Sequence, residues 1–248
     1  MKNYIIGIAG HKDSGKDITA SMINYIFAVG VTKAKYMEWR TKRESFDITY
    51  ADRIFHFADP LKDILSILYN IPRSCFDSRK YKDEYWYCFE TNSFLDTKTV
   101  SGPGYNIISF ANLDSHNTIK DALTTYDKMS NVIKLRTLIQ YFGTDICREQ
   151  LSNDIWIRCG MSKIVDKAIS RRICIVPDVR FANEANAIKH MDSSLYGGII
   201  MLKRNNNDNP EHSSEIINFT ADYKIDNNGT IMNLFYNVLD IVSKILNK

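Results

Sequence analysis

Residues Tyr4 to Ala9 form an unbroken apolar run with β-branched members, closed by Gly10, which is the pattern of a parallel strand buried on both faces. Ile18, Met22, Ile23, Ile26 and Phe27 then recur at helical spacing, so a helix follows almost at once. Ile54 to Ala58 predicts a second buried strand. Asp59 and Pro60 suit the cap and first residue of a helix carrying Leu61, Ile64, Leu65 and Leu68. From about residue 70 to 130 the periodicity fades into an aromatic, charged stretch (Tyr81 to Phe89) and a segment rich in Ser, Thr, Asn and Gly. It returns with a helix through Val132, Leu135, Leu138, Ile139 and Phe142, which Gly143 is placed to stop. A helix over Ile155 to Ile169, strands at Ile173–Val176 and Gly198–Leu202, a polar loop over Asn205 to Ser214 and an amphipathic helix over Ile231 to Leu246 complete the chain. Strands alternating with helices predict an α/β fold, a central parallel sheet flanked by helices. The expected organisation is one domain over 1–248 with an insertion at about 70–130; no internal repeat is visible.

Composition adds mainly exclusions. The chain has 248 residues, 44% hydrophobic and 25% charged, an ordinary globular balance. A formal charge of +3 gives no footprint for nucleic acid or an anionic membrane. No apolar run reaches the ~18 residues of a membrane span, and the N-terminus lacks a signal-peptide pattern. Cys75, Cys88, Cys147, Cys159 and Cys174 are an odd number without any C-x-x-C, which argues against a disulfide framework or zinc site and for a reducing compartment. A cytoplasmic location is the expectation.

The chemistry begins at Gly10-His11-Lys12-Asp13-Ser14-Gly15-Lys16-Asp17, between the first strand and its helix. Gly10-x-x-x-x-Gly15-Lys16 is a phosphate-binding loop in which Asp17 replaces the usual Ser or Thr. Glycines let backbone N–H groups converge on a phosphate, the helix adds its positive end, and Lys16 supplies a full charge. The three fixed positions should coincide by chance only about 0.04 times in such a chain. Asp17 can serve as a hard oxygen donor to Mg²⁺ or complement the helix dipole, and the two uses are compatible.

Three further polar clusters fall where a parallel-sheet enzyme places its site: Ala58-Asp59-Pro60-Leu61-Lys62; Arg136, Gln140, Gly143, Thr144, Asp145 and Arg148, followed by Trp156; and Pro177-Asp178-Val179-Arg180, with Asn183 and Glu184. Arg136 and Gln140 share a helix face; an Arg fork suits a phosphate and a Gln amide a base edge. Asp178 suits a carboxylate offered to Mg²⁺, and Arg180 can neutralise transferred charge. Lys12 and Arg204 are candidate phosphate or base contacts.

With Ser14-Gly15-Lys16-Asp17, the Arg136 to Arg148 cluster with Trp156, and Asp178-x-Arg180-x-x-x-Glu184, the chain resembles the bacteriophage deoxynucleoside monophosphate kinases, a branch of the P-loop nucleoside monophosphate kinases. His212-x-Ser214-Glu215 and Asp226-Asn227-Asn228-Gly229-Thr230 add to the likeness. The resemblance implies a P-loop kinase fold with an inserted acceptor-binding region and transfer of the ATP γ-phosphate, with Mg²⁺, to a deoxynucleoside monophosphate. It implies ATP phosphates on Ser14, Lys16 and Asp17, and with the loop reading the expected ATP set is Gly10, Lys12, Asp13, Ser14, Gly15, Lys16, Asp17, Ile18 and Arg204. The acceptor would fall to Arg136, Gln140, Gly143, Thr144, Trp156 and Glu184, catalysis to Lys16, Arg136, Asp178 and Arg180, and metal to Asp17 and Asp178. A loop over about 204–219 would close over ATP, and a viral source would put the protein in the host cytoplasm. Two departures from the family pattern stand out: Ile18 where Thr is usual and Thr137 where a basic residue is usual. Three alternatives stay open. A related kinase of another phosphorylated acceptor, of the phosphomevalonate or dephospho-coenzyme A type, would share the ATP half; an inactive nucleotide-binding protein would keep only the fold; and the final helix can pack on the core or on a second copy in a homodimer.

Overall fold

The computed structural model describes residues 2–108, 130–191, 194–205 and 217–247. In chain order its elements are β1 (Asn3–Ala9), α1 (Lys16–Val29), α2 (Tyr36–Thr49), α3 (Asp59–Tyr69), α4 (Arg73–Asp77), α5 (Arg79–Asp83), β2 (Trp86–Cys88), β3 (Ser93–Leu95), α6 (Thr97–Val100) and β4 (Tyr105–Ile108). They continue with β5 (Ser130–Ile133), α7 (Leu135–Gln140), a π-helical segment (Tyr141–Leu151), α8 (Ile155–Arg171), β6 (Ile173–Val176), α9 (Ala182–Lys189), β7 (Leu195–Lys203), β8 (Tyr223–Asp226) and α10 (Ile231–Leu246). The chain divides into two compact units, one of Met1–Phe57 with Trp156–Lys248, the other of Ala58–Ile155.

The first unit is built on a four-stranded sheet of order β6-β1-β7-β8, parallel throughout. Alternate residues of the central strand feed two cores. Tyr4, Ile6 and Ile8 join Met22, Ile23 and Ile26 of α1, Trp39 of α2 and Phe235, Val238, Val242 and Ile245 of α10. Ile5 and Ala9 join Ile164 and Ala168 of α8 and Ala185 and Ile188 of α9 on the opposite face. This two-sided burial explains why β1 and β6 read as continuous apolar runs. The helices therefore flank the sheet as the periodicity implies.

The second unit holds a mixed sheet of order β3-β2-β5-β4, in which β2 is antiparallel to both neighbours and β4 and β5 are parallel. It spans more chain than the 70–130 expected from the fading periodicity, because α3 and α7 belong to it.

Four local expectations are corrected. The predicted strand Ile54–Ala58 shrinks to a single bridge, Ile54 to Ile175, with the Phe55 N–H donating to the Ile175 carbonyl at 3.0 Å. The chain turns at Phe57 and Ala58 into α3, which leaves no length for a ladder, and the helix begins at Asp59 itself, one residue before the sequence expectation. Val132 lies in β5, not in a helix. Gly143 does not stop the helix that starts at Leu135; backbone turns continue in π form to Leu151. Its lack of a side chain instead admits Leu61, whose Cδ2 would lie 2.5 Å from a Cβ at that position.

Candidate active site

The Gly10–Asp17 loop has a backbone that depends on its glycines. Gly10 and Gly15 adopt positive φ (155° and 99°), and Asp13 sits in the left-handed region at 59°. A Cβ on Gly10 would come within 2.5 Å of Ser14 Oγ. The Ser14 N–H donates to the His11 carbonyl at 3.3 Å, closing the turn, and the Thr19 N–H donates to the Gly15 carbonyl at 2.9 Å, starting α1. Lys16 lies folded over the loop, its Nζ donating to the Gly10 carbonyl at 2.6 Å and the His11 carbonyl at 2.7 Å. Burial, and then the Arg180 charge, lower its ammonium to about 8 against the pull of Asp17, Asp178 and Asp13.

Those same interactions bring the predicted Asp178 and Arg180 into the electrostatic neighbourhood of the loop. Asp178 comes one residue, Pro177, after β6, and the next residue, Val179, is pinned by its N–H to the Ile8 carbonyl of β1 at 3.1 Å. His56 Nδ1 lies 3.7 Å from Asp178 Oδ1. Glu184 is 2% exposed, and its Oε2 accepts from the N–H groups of Arg180 (2.9 Å) and Phe181 (3.2 Å), the reciprocal bond of a helix capping arrangement at the start of α9. Arg204 donates to the Asp13 carbonyl at 3.1 Å. Lys12 and Asp17 are exposed, while Ile18 packs against the core and can offer a ligand only its backbone.

Metal donors fit a Mg²⁺ that keeps waters and phosphate oxygens. Among the described residues no group of three or more His, Cys, Asp or Glu could hold a metal by itself. Ser14 Oγ, however, is a hard oxygen buried without a hydrogen-bond partner, and the Asp17 and Asp178 carboxylates both act on the neighbouring Lys16.

In the second unit, Arg136 on α7 is gripped as a fork by Asp83 of α5, Nε to Oδ1 at 2.5 Å and Nη2 to Oδ2 at 2.9 Å. Lys134 donates to the Asp83 carbonyl at 2.8 Å. Burial, then the charges of Lys62 and Arg136, push the Lys82 ammonium below its ordinary value, so three cations crowd one locality. Behind them Arg73 ties Asp59 (2.9 Å), Asp63 (2.7 Å) and Asp77, and Lys62 reaches Asp77 at 3.0 Å. Burial works to raise Asp77, yet the hydrogen bonds from Arg73 and Lys62 outweigh it and hold its carboxyl at about 2. Gly143 and Thr144 are buried in the π-helical segment, as is Arg148, which donates to the Asn153 carbonyl at 2.9 Å. Gln140 is half-buried at the end of α7.

The predicted acceptor residues thus divide: Arg136, Gln140, Gly143 and Thr144 lie in the second unit, whereas Trp156, buried on α8, and Glu184 lie in the first. His212, Ser214, Glu215 and all but the ends of the expected 204–219 lid fall outside the described residues. The positions missed from sequence are Asp83 and Lys82; Asn227 enters there only within the Asp226–Thr230 motif, without a site role. Asn227 donates from Nδ2 to the Ser14 carbonyl at 2.9 Å.

No curated protein matches the chain. The family model for deoxynucleotide monophosphate kinase matches residues 84–238. That span contains the Arg136 cluster, Asp178 to Glu184 and Asn227, and begins well after the Gly10–Asp17 loop. No helix among the described residues is long and apolar enough to cross a membrane. A match over more than half the sequence leads to one conclusion: the chain belongs to the deoxynucleotide monophosphate kinase family and is a phosphotransferase of nucleotide metabolism.

Proposed function

We propose that the protein transfers the γ-phosphate of ATP to a deoxynucleoside monophosphate, giving the diphosphate for DNA precursor synthesis. The observation that carries this reading is Lys16, a cation stored on two loop carbonyls beside Arg180, Asp17 and Asp178. ATP phosphates would take the N–H groups of Ser14 to Ile18 and draw the Lys16 ammonium from Gly10 and His11 onto themselves. Mg²⁺ held by Asp17 and Asp178, with Ser14 Oγ as a further oxygen, would supply charge neutralisation at the phosphates. Arg180 stabilises charge on the transferred group, and its backbone is fixed for this by Glu184.

Acceptor recognition falls to the second unit. Arg136, oriented by Asp83, offers a planar donor set to the monophosphate, with Lys62 and Lys82 adding charge. Gln140 suits a base edge, and Gly143 and Thr144 complete the acceptor set. The acceptor phosphate oxygen attacks the γ-phosphorus in line as the bond to ADP breaks, without a covalent enzyme intermediate. Positioning and charge neutralisation therefore carry the catalysis. Lys16→Ala is expected to abolish ADP release in a coupled assay while leaving the circular dichroism spectrum unchanged. Turnover retained by a folded Lys16→Ala variant would contradict the assignment.

A further inference from the structure

The outward side of the phosphate loop is as informative as the inward side. A loop whose N–H groups converge on phosphate turns carbonyls away from it, and each turned carbonyl needs a donor. Asp13 and Ser14 find theirs beyond the ends of β7 and β8: Arg204 Nη1 donates to the Asp13 carbonyl at 3.1 Å and Asn227 Nδ2 to the Ser14 carbonyl at 2.9 Å. The amide orientation at Asn227 follows from chemistry, since a carbonyl can only accept.

Asn227 is itself held firmly. Its N–H donates to the Lys203 carbonyl at 2.7 Å, and its neighbour Asn228 accepts from the Asn205 N–H at 2.8 Å. Three residues on, Thr230 caps α10, accepting from the Asn233 N–H at 3.2 Å. Gly15 completes the fit. A Cβ there would stand 2.7 Å from Asn227 Nδ2 and push that amide off the Ser14 carbonyl, while the φ of 99° itself favours glycine. Asn227 thus rests against the peptide that joins the loop to the first turn of α1, where N–H groups would receive a phosphate.

We infer that Asn227 is a positioning residue of the donor site: by holding the Ser14 carbonyl outward it fixes the Ser14–Gly15–Lys16 backbone in its phosphate-binding form. It acts through the loop and makes no contact with phosphate. This inference rests on the reading that the loop binds ATP.

Equilibrium binding of a fluorescent ATP analogue with Mg²⁺, on the full chain and without acceptor, tests it. Asn227→Ala removes the donor, and Asn227→Asp keeps the size while setting a carboxylate against the carbonyl. Each is expected to weaken ATP binding about tenfold, the scale of one lost buried hydrogen bond. KM for the acceptor should stay within about twofold. Asn228→Asp, which still accepts from Asn205, should bind ATP like the parent. Should Asn227→Ala lose its fold, the near-isosteric Asn227→Asp carries the same expectation. A lowered Tm with ATP affinity unchanged in either Asn227 variant would overturn the inference and leave Asn227 a structural residue. Absence of ATP binding by the parent protein would overturn the reading of the loop itself, and the inference with it.

Discussion

At the scale of single residues, the tension at Lys16 has a measurable consequence. A lysine ammonium lowered to about 8 is charged below that pH and neutral above it, and the cation is the form that phosphate requires. For the proposed reaction, kcat/KM for ATP, which reports the free enzyme, is expected to fall about tenfold per pH unit above pH 8. The kcat profile should hold to higher pH, because bound phosphates favour the charged lysine. A kcat/KM profile flat to pH 10 would contradict this. The guanidinium of Arg136 is held in a two-point fork, so Arg136→Lys keeps the charge but loses the geometry. It is expected to raise the acceptor KM about tenfold or more while leaving the ATP KM nearly unchanged, and equal changes in both would count against its assignment to the acceptor. Lys16 and Asp178 could be singled out as candidates from the sequence because one stretch of chain carries both the motif and its strand context. The pairing of Asp83 with Arg136 and of Asn227 with Ser14 could not, since Asp83 is 53 residues from Arg136 and Asn227, though part of a motif, is 213 from Ser14. Only folding makes those pairs.

Elements show where hydrophobic periodicity suffices and where it fails. The α10 prediction over Ile231 to Leu246 matches the structure because one face buries Leu234, Phe235, Val238, Ile241, Val242 and Ile245 at helical spacing. Helix α2 gave no such signal: only Tyr36 and Trp39 of its 14 residues are buried, and Trp39 is anchored through its indole N–H to Ser21 Oγ at 3.1 Å. The Ile54 to Ala58 segment misled because Phe55 and Phe57 are buried, although the backbone pairs once only. Two stability predictions belong to this scale. Gly197 of β7 lies against the end of α9, where an added Cβ would meet the Ile188 carbonyl oxygen at 1.7 Å, a backbone atom that cannot rotate away. Gly197→Ala is therefore expected to cost upwards of about 3 kcal/mol in urea unfolding, the upper end of overpacking penalties. Glu184→Ala strips the acceptor from two N–H groups before α9 and is expected to cost about 2 kcal/mol. Wild-type midpoints for these variants would contradict the packing and capping described.

For the whole molecule, the three-layer unit around the phosphate loop was legible because buried parallel strands are compact apolar runs. The unit from Ala58 to Ile155 was not, since its strands are three or four residues long and its order rests on paired side chains such as Arg73 with its three carboxylates. The family match spans parts of both units and supports a single activity for the chain. The most direct test of that activity is coupled ADP release from ATP and Mg²⁺ with dAMP, dGMP, dCMP and dTMP, run beside the ribonucleotides, phosphomevalonate and dephospho-coenzyme A. The expected result is turnover with one or more deoxynucleoside monophosphates, dependent on Lys16. Turnover only with a non-nucleotide acceptor, or none with any acceptor while ATP still binds, would contradict it.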